Sequence, residues 1–393
     1  MADHLMSQFH INATQFGIFA AYYYYSYTAM QIPVGVILDH FSIRKSLLAA
    51  CIVCIIGLFL VHMVTNVYIA SMGRFIMGFG CAFAFVAVLK VATVWLAPRH
   101  FGMVACIADS LGMLAGIFAD LIITKLNVSF GYQSTMWTVA LIGVIVAALI
   151  LFVLRDSPKT RELDQQVTRE AKSFSHIFRE LANMIKNPQI WIIGVLGALA
   201  YLPSSALGDV WGIPYLSTVY HMSTIEAGRI MSTFFFGWMI VGPFVGELSD
   251  HFRNRKMPIV ISLFLDAVLL TLILYVPYKL DYHVAHWILY VAFFLFGALT
   301  STHPLIFALA KENYDKSVAG TVVALTNCLV MLGGVVFQPL TGYMIDTVHR
   351  HFTLGTKAYT PLDFTLGIAL VPVSLLVAAI IAMWLKDTGK TLV

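Results

Sequence analysis

Arg74, Lys90, Asp109, Asp209, Asp266 and His303 each interrupt a run of apolar residues. A charge inside a hydrocarbon layer is costly, so such groups are paired, face a wet pathway, or bind and release a proton. Carboxylates and imidazoles carry protons, while guanidinium and ammonium groups hold anions. Asp209 has the most informative setting, "LPSSALGDVWGIP", where Pro203, Gly208, Gly212 and Pro214 interrupt a helix and free backbone groups that are tolerated beside a cavity. With its neighbour Trp211 it is a candidate site residue; an acid near the surface is the alternative. Lys90 and Asp109 lie at depths of ~9 and ~12 Å from the same end of adjacent helices, which allows a structural pair or a substrate or proton role. Asp266 is open to the same two readings. His303, just before Pro304, is read as a proton carrier or as a packing histidine held by a hydrogen bond.

Uncharged polar groups extend the set. "YYYYSY" at Tyr22–Tyr27 puts tyrosines all round a helix. Tyr22, Tyr25 and Ser26 share one face by spacing, and their hydroxyls suit a polar organic solute. Asn327, and Gln338 beside Pro339, complete the candidates.

The elements that position these residues follow from composition. The chain has 393 residues, 60% hydrophobic and 11% charged, whereas a soluble domain carries about 25% charged residues. Apolar stretches of the ~20 residues needed to cross a bilayer recur from end to end. The expected spans are 14–38, 45–65, 68–96, 101–124, 133–154, 190–216, 226–249, 257–277, 285–310, 318–346 and 361–385, eleven in all. The net charge of +4 is spread through short loops, which excludes a nucleic-acid surface. Seventeen Lys and Arg fall on one side of these spans and five on the other, so the linker and the C-terminus are expected in the cytoplasm. That division gives an N-terminal bundle at 1–154, a linker at 155–189 and a C-terminal bundle at 190–393. Within the linker, "FSHIFRELANMIKN" places Phe174, Ile177, Phe178, Leu181 and Ile185 on one helical face, as in a helix lying on the membrane surface.

The two bundles are one unit written twice. "GVILDHFSIRK" at Gly35–Lys45 returns as "GELSDHFRNRK" at Gly246–Lys256, and Asp250 lies 211 positions after Asp39. "HINATQFG" lies under "HMSTIEAG" at the same offset, and "ADSLGMLAG" matches "TNCLVMLGG" at an offset of 218. Duplicated halves of helices are a common plan of secondary transporters, with the substrate between the repeats near mid-membrane.

The repeated Gly-x-x-x-Asp-His-Phe-x-x-Arg-Lys loop resembles the signature loop of the major facilitator superfamily, and "GRFIMGFG" at 73–80 is similar to the Arg-x-x-x-Gly stretch on its fourth helix. The resemblance implies an all-α membrane fold of two pseudo-symmetric bundles with twelve helices. Here the counterpart of the 190–216 helix would fall before Met1, so the first helix is expected to be missing; a start at an internal methionine is favoured over a fold of eleven spans. The resemblance further implies that Gly35, Asp39, Arg44, Lys45, Gly246, Asp250, Arg255 and Lys256 form a gate, while a plain topological anchor is the alternative. It gives Arg74 a part in substrate or proton coupling.

The function expected is secondary active transport, not enzymatic catalysis: a small polar organic solute, such as an amino acid, short peptide or organic acid, taken up with protons by alternating access. An efflux antiporter and a sensor that does not translocate are the rivals. No G-x-x-x-x-G-K-[ST] sequence is present, so a proton or other ion gradient is the expected energy source. No cofactor, metal or nucleic acid is expected. The partners are the solute, the coupling ion and the lipid of a bacterial inner membrane, around a monomer.

Overall fold

The computed structural model describes residues 2–95, 101–155, 174–252, 254–280, 284–314, 319–353 and 358–386. Among them every regular element is helical. The N-terminal half holds α1 (Ala2–Phe9), α2 (Ala13–His40), α3 (Ile43–His62), α4 (Val67–Trp95), α5 (Phe101–Phe118), a π turn (Ala119–Ile123) and α6 (Thr124–Val153). Helix α7 (Phe174–Ile185) follows. The C-terminal half holds α8 (Pro188–Ala200), a second π turn (Pro203–Trp211), α9 (Gly212–Val219), α10 (Thr224–His251), α11 (Lys256–Lys279), α12 (His286–Thr300), α13 (Leu305–Glu312), α14 (Ala319–Phe352), α15 (Pro361–Gly367) and α16 (Leu370–Ala382). The chain turns alternately at a linker face, where α6 ends and α8 begins, and at the opposite, far face.

Nine helical stretches among the described residues are long and apolar enough to cross a membrane, against eleven expected. Two causes separate the numbers. One stretch, Ser110–Val153, runs for 44 residues, about twice the length of a single crossing, and it is broken at Gly131, where φ is 82°. Helix α2 is 28 residues long, but its tyrosines and Gln31 make it less apolar than the nine. Leu181 and Met184 of α7 are buried while Ile185 is 45% exposed; the side chains of Phe174, Ile177 and Phe178 lie outside the described residues.

The duplication holds at atomic detail. Helices α2 and α10 begin and end 211 positions apart, and the turn before each carries a left-handed histidine, His10 and His221, both at φ 53°. L-residues rarely adopt this conformation, so its recurrence marks a copied turn. In both halves a glycine lets two helix backbones touch: Gly78 against the Tyr23 carbonyl, and Gly297 against the Phe234 carbonyl. A Cβ at either glycine would strike that oxygen.

The halves meet along two seams built the same way. Gly17 packs on the Gln338 backbone and Gly334 under the Tyr24 ring, joining α2 to α14; Gly228 packs on the Asp120 backbone and Gly116 under the Phe235 ring, joining α10 to α5 and its π turn. Small residues at such crossings allow close approach without a hydrophobic drive. The main buried core runs through the C-terminal half and the far ends of the N-terminal helices, including Phe16, Phe19, Val61 and Ala70. Val34, Leu38, Ile43 and Phe83, toward the linker face, pack as a separate cluster. Among the described residues, the main apolar core thus joins the two halves at the far face, while the cluster toward the linker face lies within the N-terminal half.

Candidate functional site

Helix α2 organises the site, because it carries one polar group after another toward the C-terminal half. Tyr24 lies about 16 Å from the helix start at 1.5 Å per residue, close to the middle of a hydrocarbon core of ~30 Å. The Tyr24 hydroxyl donates to Asp209 Oδ2 at 2.7 Å. Pro203, which has no N–H to continue the α ladder, opens the π turn that carries Asp209. A π turn adds a residue to a helix and is frequent at functional positions. Asp209 remains accessible to solvent although it sits in mid-span, whereas Tyr24 is buried.

Arg74 approaches from α4. One guanidinium nitrogen donates to the Ala20 carbonyl at 3.1 Å, and the group lies over Phe19 and Tyr23 with its carbon 5.8 and 5.4 Å from the ring centroids. It also attracts the Asp209 carboxylate. The cation–π contacts hold the charge where its own hydration is reduced. Toward the linker face, Asn327 Nδ2 donates to Gln31 Oε1 at 2.7 Å across the same seam. Gln338 Nε2 donates to the Ser205 carbonyl at 2.9 Å. Gln338 Oε1, Ser205 Oγ, Trp211 Nε1, Trp238 Nε1 and His303 Nε2 are buried without a hydrogen-bond partner. Buried polar atoms of this kind are rarely left unsatisfied in proteins, and two of the residues that bear them, Gln338 and Ser205, meet at the π turn that carries Asp209.

The remaining candidates fall elsewhere. Tyr22 and Tyr25 contact each other, ring centroids 5.3 Å apart, and are half-buried. Tyr24 lies about 200° round the helix from Tyr22 at roughly 100° per residue, which is why it, and not they, meets Asp209. Ser26 donates to the Phe75 carbonyl and ties α2 to α4 beside Gly78. Trp211 is fully buried and bridges the halves, 5.6 Å from the Phe16 ring and 6.3 Å from that of Phe364. Asp266 accepts from Thr300 Oγ1 at 3.0 Å inside the C-terminal half. His303 is caged by Tyr201, Trp238 and Phe307. A cavity of about 400 Å³, lined by His4, Gln8, His62 and Tyr132 among others, opens at the far face and does not include Asp209.

Three residues escaped the sequence reading. Tyr24 was hidden in a run of like residues, and Tyr201 beside it carried no signal. Asp120, buried with Oδ2 unpartnered, lies 218 positions before Gln338, so the repeat could have found it.

At the linker face the basic residues of both charged loops are held by neighbouring groups. Arg44 donates to the Leu151 carbonyl and Lys45 N–H to Ser42 Oγ at 3.2 Å. Arg255 pairs with Glu312 at 3.0 Å and donates to Ser249 Oγ at 3.1 Å, while Lys256 reaches the Met383 carbonyl. The space about Gly35 and Gly246 is open. The side chains of Asp39, Lys90, Asp109 and Asp250 lie outside the described residues.

The sequence matches the family model of the Major Facilitator Superfamily over residues 1–338. The chain belongs to that superfamily. It is a membrane transporter of this class, with multiple membrane-crossing helices. Similar proteins include an uncharacterized transporter, YybO, of Bacillus subtilis, 23% identical over 90% of this chain and 84% of its own. The membrane sensor protein UhpC of Salmonella typhimurium is 22% identical over 82% of this chain and 75% of its own. Among solved structures, a D-xylose-proton symporter superposes with a TM-score of 0.73 at 13% identity, covering 96% of this chain and 89% of that one, a likeness of fold.

Proposed function

We propose that this superfamily member is a proton-coupled carrier of a small polar organic solute, and that Asp209 is its proton-binding group. The observation that carries this reading is the Tyr24–Asp209 hydrogen bond, made mid-span between the halves with Arg74 in electrostatic reach. A carboxylate so placed binds solute or proton in turn, and either event changes what holds the halves together. The bundles at 1–154 and 190–393, joined by the 155–189 linker, rock about this centre. The linker face lies in the cytoplasm and the far face outside, as the basic loops favour. Packing at the far face with separation at the linker face corresponds to an inward-open state. The protein acts as a monomer in a bacterial inner membrane. Amino acids, short peptides and organic acids are the first solutes to screen; the glucose/galactose transporter of Brucella abortus, 21% identical over 93% of this chain, adds hexoses.

The test is uptake by the purified protein in proteoliposomes with an imposed proton gradient. Gradient-driven accumulation of one of these solutes is expected, and Asp209→Asn is expected to abolish it while leaving counterflow. Full accumulation by Asp209→Asn would overturn the proton role. The similarity to UhpC favours a second reading, a sensor that binds without translocating; binding with no counterflow in the parent protein would establish it.

A further inference from the structure

The first turn of α2 has an unusual set of partners. The opening N–H groups of a helix have no acceptor within the helix. Asn12 and Gln15 satisfy each other's in a capping box, Asn12 N–H to Gln15 Oε1 at 3.0 Å and Gln15 N–H to Asn12 Oδ1 at 2.9 Å. The two between them go to the other half. Thr14 N–H donates to Asp346 Oδ2 at 2.8 Å and Ala13 N–H to Asp346 Oδ1 at 3.3 Å, and the Thr14 hydroxyl donates to the same carboxylate. The Tyr359 hydroxyl adds a bond to Asp346 at 2.6 Å and accepts from Ala13 N–H at 2.9 Å. Burial, with Asp346 beside it, pushes the Tyr359 hydroxyl well above the ordinary tyrosine range, so it stays a donor.

We propose that Asp346 is a positioning residue that latches the far face shut. Its carboxylate caps the positive end of the α2 dipole with charge-assisted bonds, which are stronger than neutral ones. Gly342, one turn earlier on α14, has no Cβ to hold the α14 backbone away from the Ala13 carbonyl. Beneath the latch lies the aromatic plug of Phe16, Trp211 and Phe364, which separates Asp209 from the far face. When the halves part at this end, Asp346 and the two N–H groups must exchange one another for water. The other seam has no counterpart, because the position 218 before Asp346 is Val128. Outward opening therefore begins by uncapping α2.

The latch rests on the alternating-access reading, and the experiment separates the two. Spin labels go on the full-length chain, with its native cysteines replaced, in two pairs of exposed positions: Tyr68→Cys with Phe352→Cys at the far face, and Phe41→Cys with Phe252→Cys at the linker face. Pulsed dipolar distances are then recorded in nanodiscs. Asp346→Asn and Asp346→Ala are expected to raise the ratio of long to short far-face distances roughly tenfold, about 1.4 kcal/mol, with a matching shortening at the linker face. A misfolded variant broadens both pairs without that reciprocity. In that event Thr14→Val and Tyr359→Phe, which each remove one hydroxyl, carry the test with a smaller reciprocal shift. Distances that stay put in all latch variants, while an added solute or a pH change moves the parent, overturn the latch alone. Distances fixed in every variant and condition overturn alternating access with it.

Discussion

The two seams that join the halves share their geometry and differ in their chemistry. At both, a glycine near the start of the repeated helix, Gly17 on α2 and Gly228 on α10, admits the other helix's backbone, and two turns further along it an aromatic ring covers a second glycine on the facing helix: Tyr24 on Gly334, Phe235 on Gly116. On the first seam the ring carries a hydroxyl, and it reaches Asp209. On the second it carries none. The first also holds the Gln31–Asn327 bond and the Asp346 cap, whereas Asp120 on the second has an unpartnered oxygen. Backbone contact and ring packing are what a duplicated unit needs twice; on the reading proposed above, a proton site and a latch are needed once. Function was placed by changing a few polar atoms on a scaffold whose crossings stayed the same.

That comparison can be broken at several points. Leucine at Gly78 or at Gly297 should prevent folding equally, since both crossings have backbone against backbone; a monodisperse peak on size exclusion from either variant would show that the crossings are not equivalent. Arg255→Gln removes one partner of a largely buried ion pair, with side chains 10% and 14% exposed, and should cost about 3 kcal/mol. Arg44→Gln loses at least the bond to the Leu151 carbonyl and should cost at least about 1 kcal/mol; thermal melts in detergent would rank the two losses. Tyr24→Phe turns the first seam into a copy of the second and should slow gradient-driven uptake roughly tenfold, as expected for about 1.4 kcal/mol. Phe235→Tyr should leave the initial rate almost unchanged. Smallest of all, Asp120→Asn should alter uptake less than about twofold, because an amide already serves at the matching Gln338; a large loss in a flux assay would make Asp120 a second functional acid.

Much of the fold was legible because bilayer length and apolar composition leave few alternatives. The expected span 226–249 became Thr224–His251, and the interrupted 190–216 segment became α8, a π turn and α9 at the prolines and glycines that foretold a break. Gly131 was not legible, since a lone glycine in an apolar run carries no sign of its φ. The site was read in part. Asp209, Arg74, Asn327 and Gln338 could be singled out as polar groups in apolar surroundings. Rotation of α2 could not be read, because five tyrosines and a serine in six positions leave no apolar face to orient it. Asp346 and Tyr359 sit near a helix end and in a loop, where polar residues are ordinary. Their partner is more than 300 positions away, and no local pattern encodes it.

The π turn at Asp209 has a consequence for how this span tolerates change. It is an α-helix holding a surplus residue. Deleting one residue there, Ser204 for instance, would let the turn rewind as α and change the span's length by no more than ~1.5 Å, leaving the flanking segments near their present register while Asp209, which lies inside the turn, points in a new direction. A bilayer absorbs such a mismatch at a fraction of a kcal/mol, so insertion would survive while the acid looked away from its tyrosine. Length and aim are set by different residues, and a shift of frame too small for the membrane to register is enough to disarm the site.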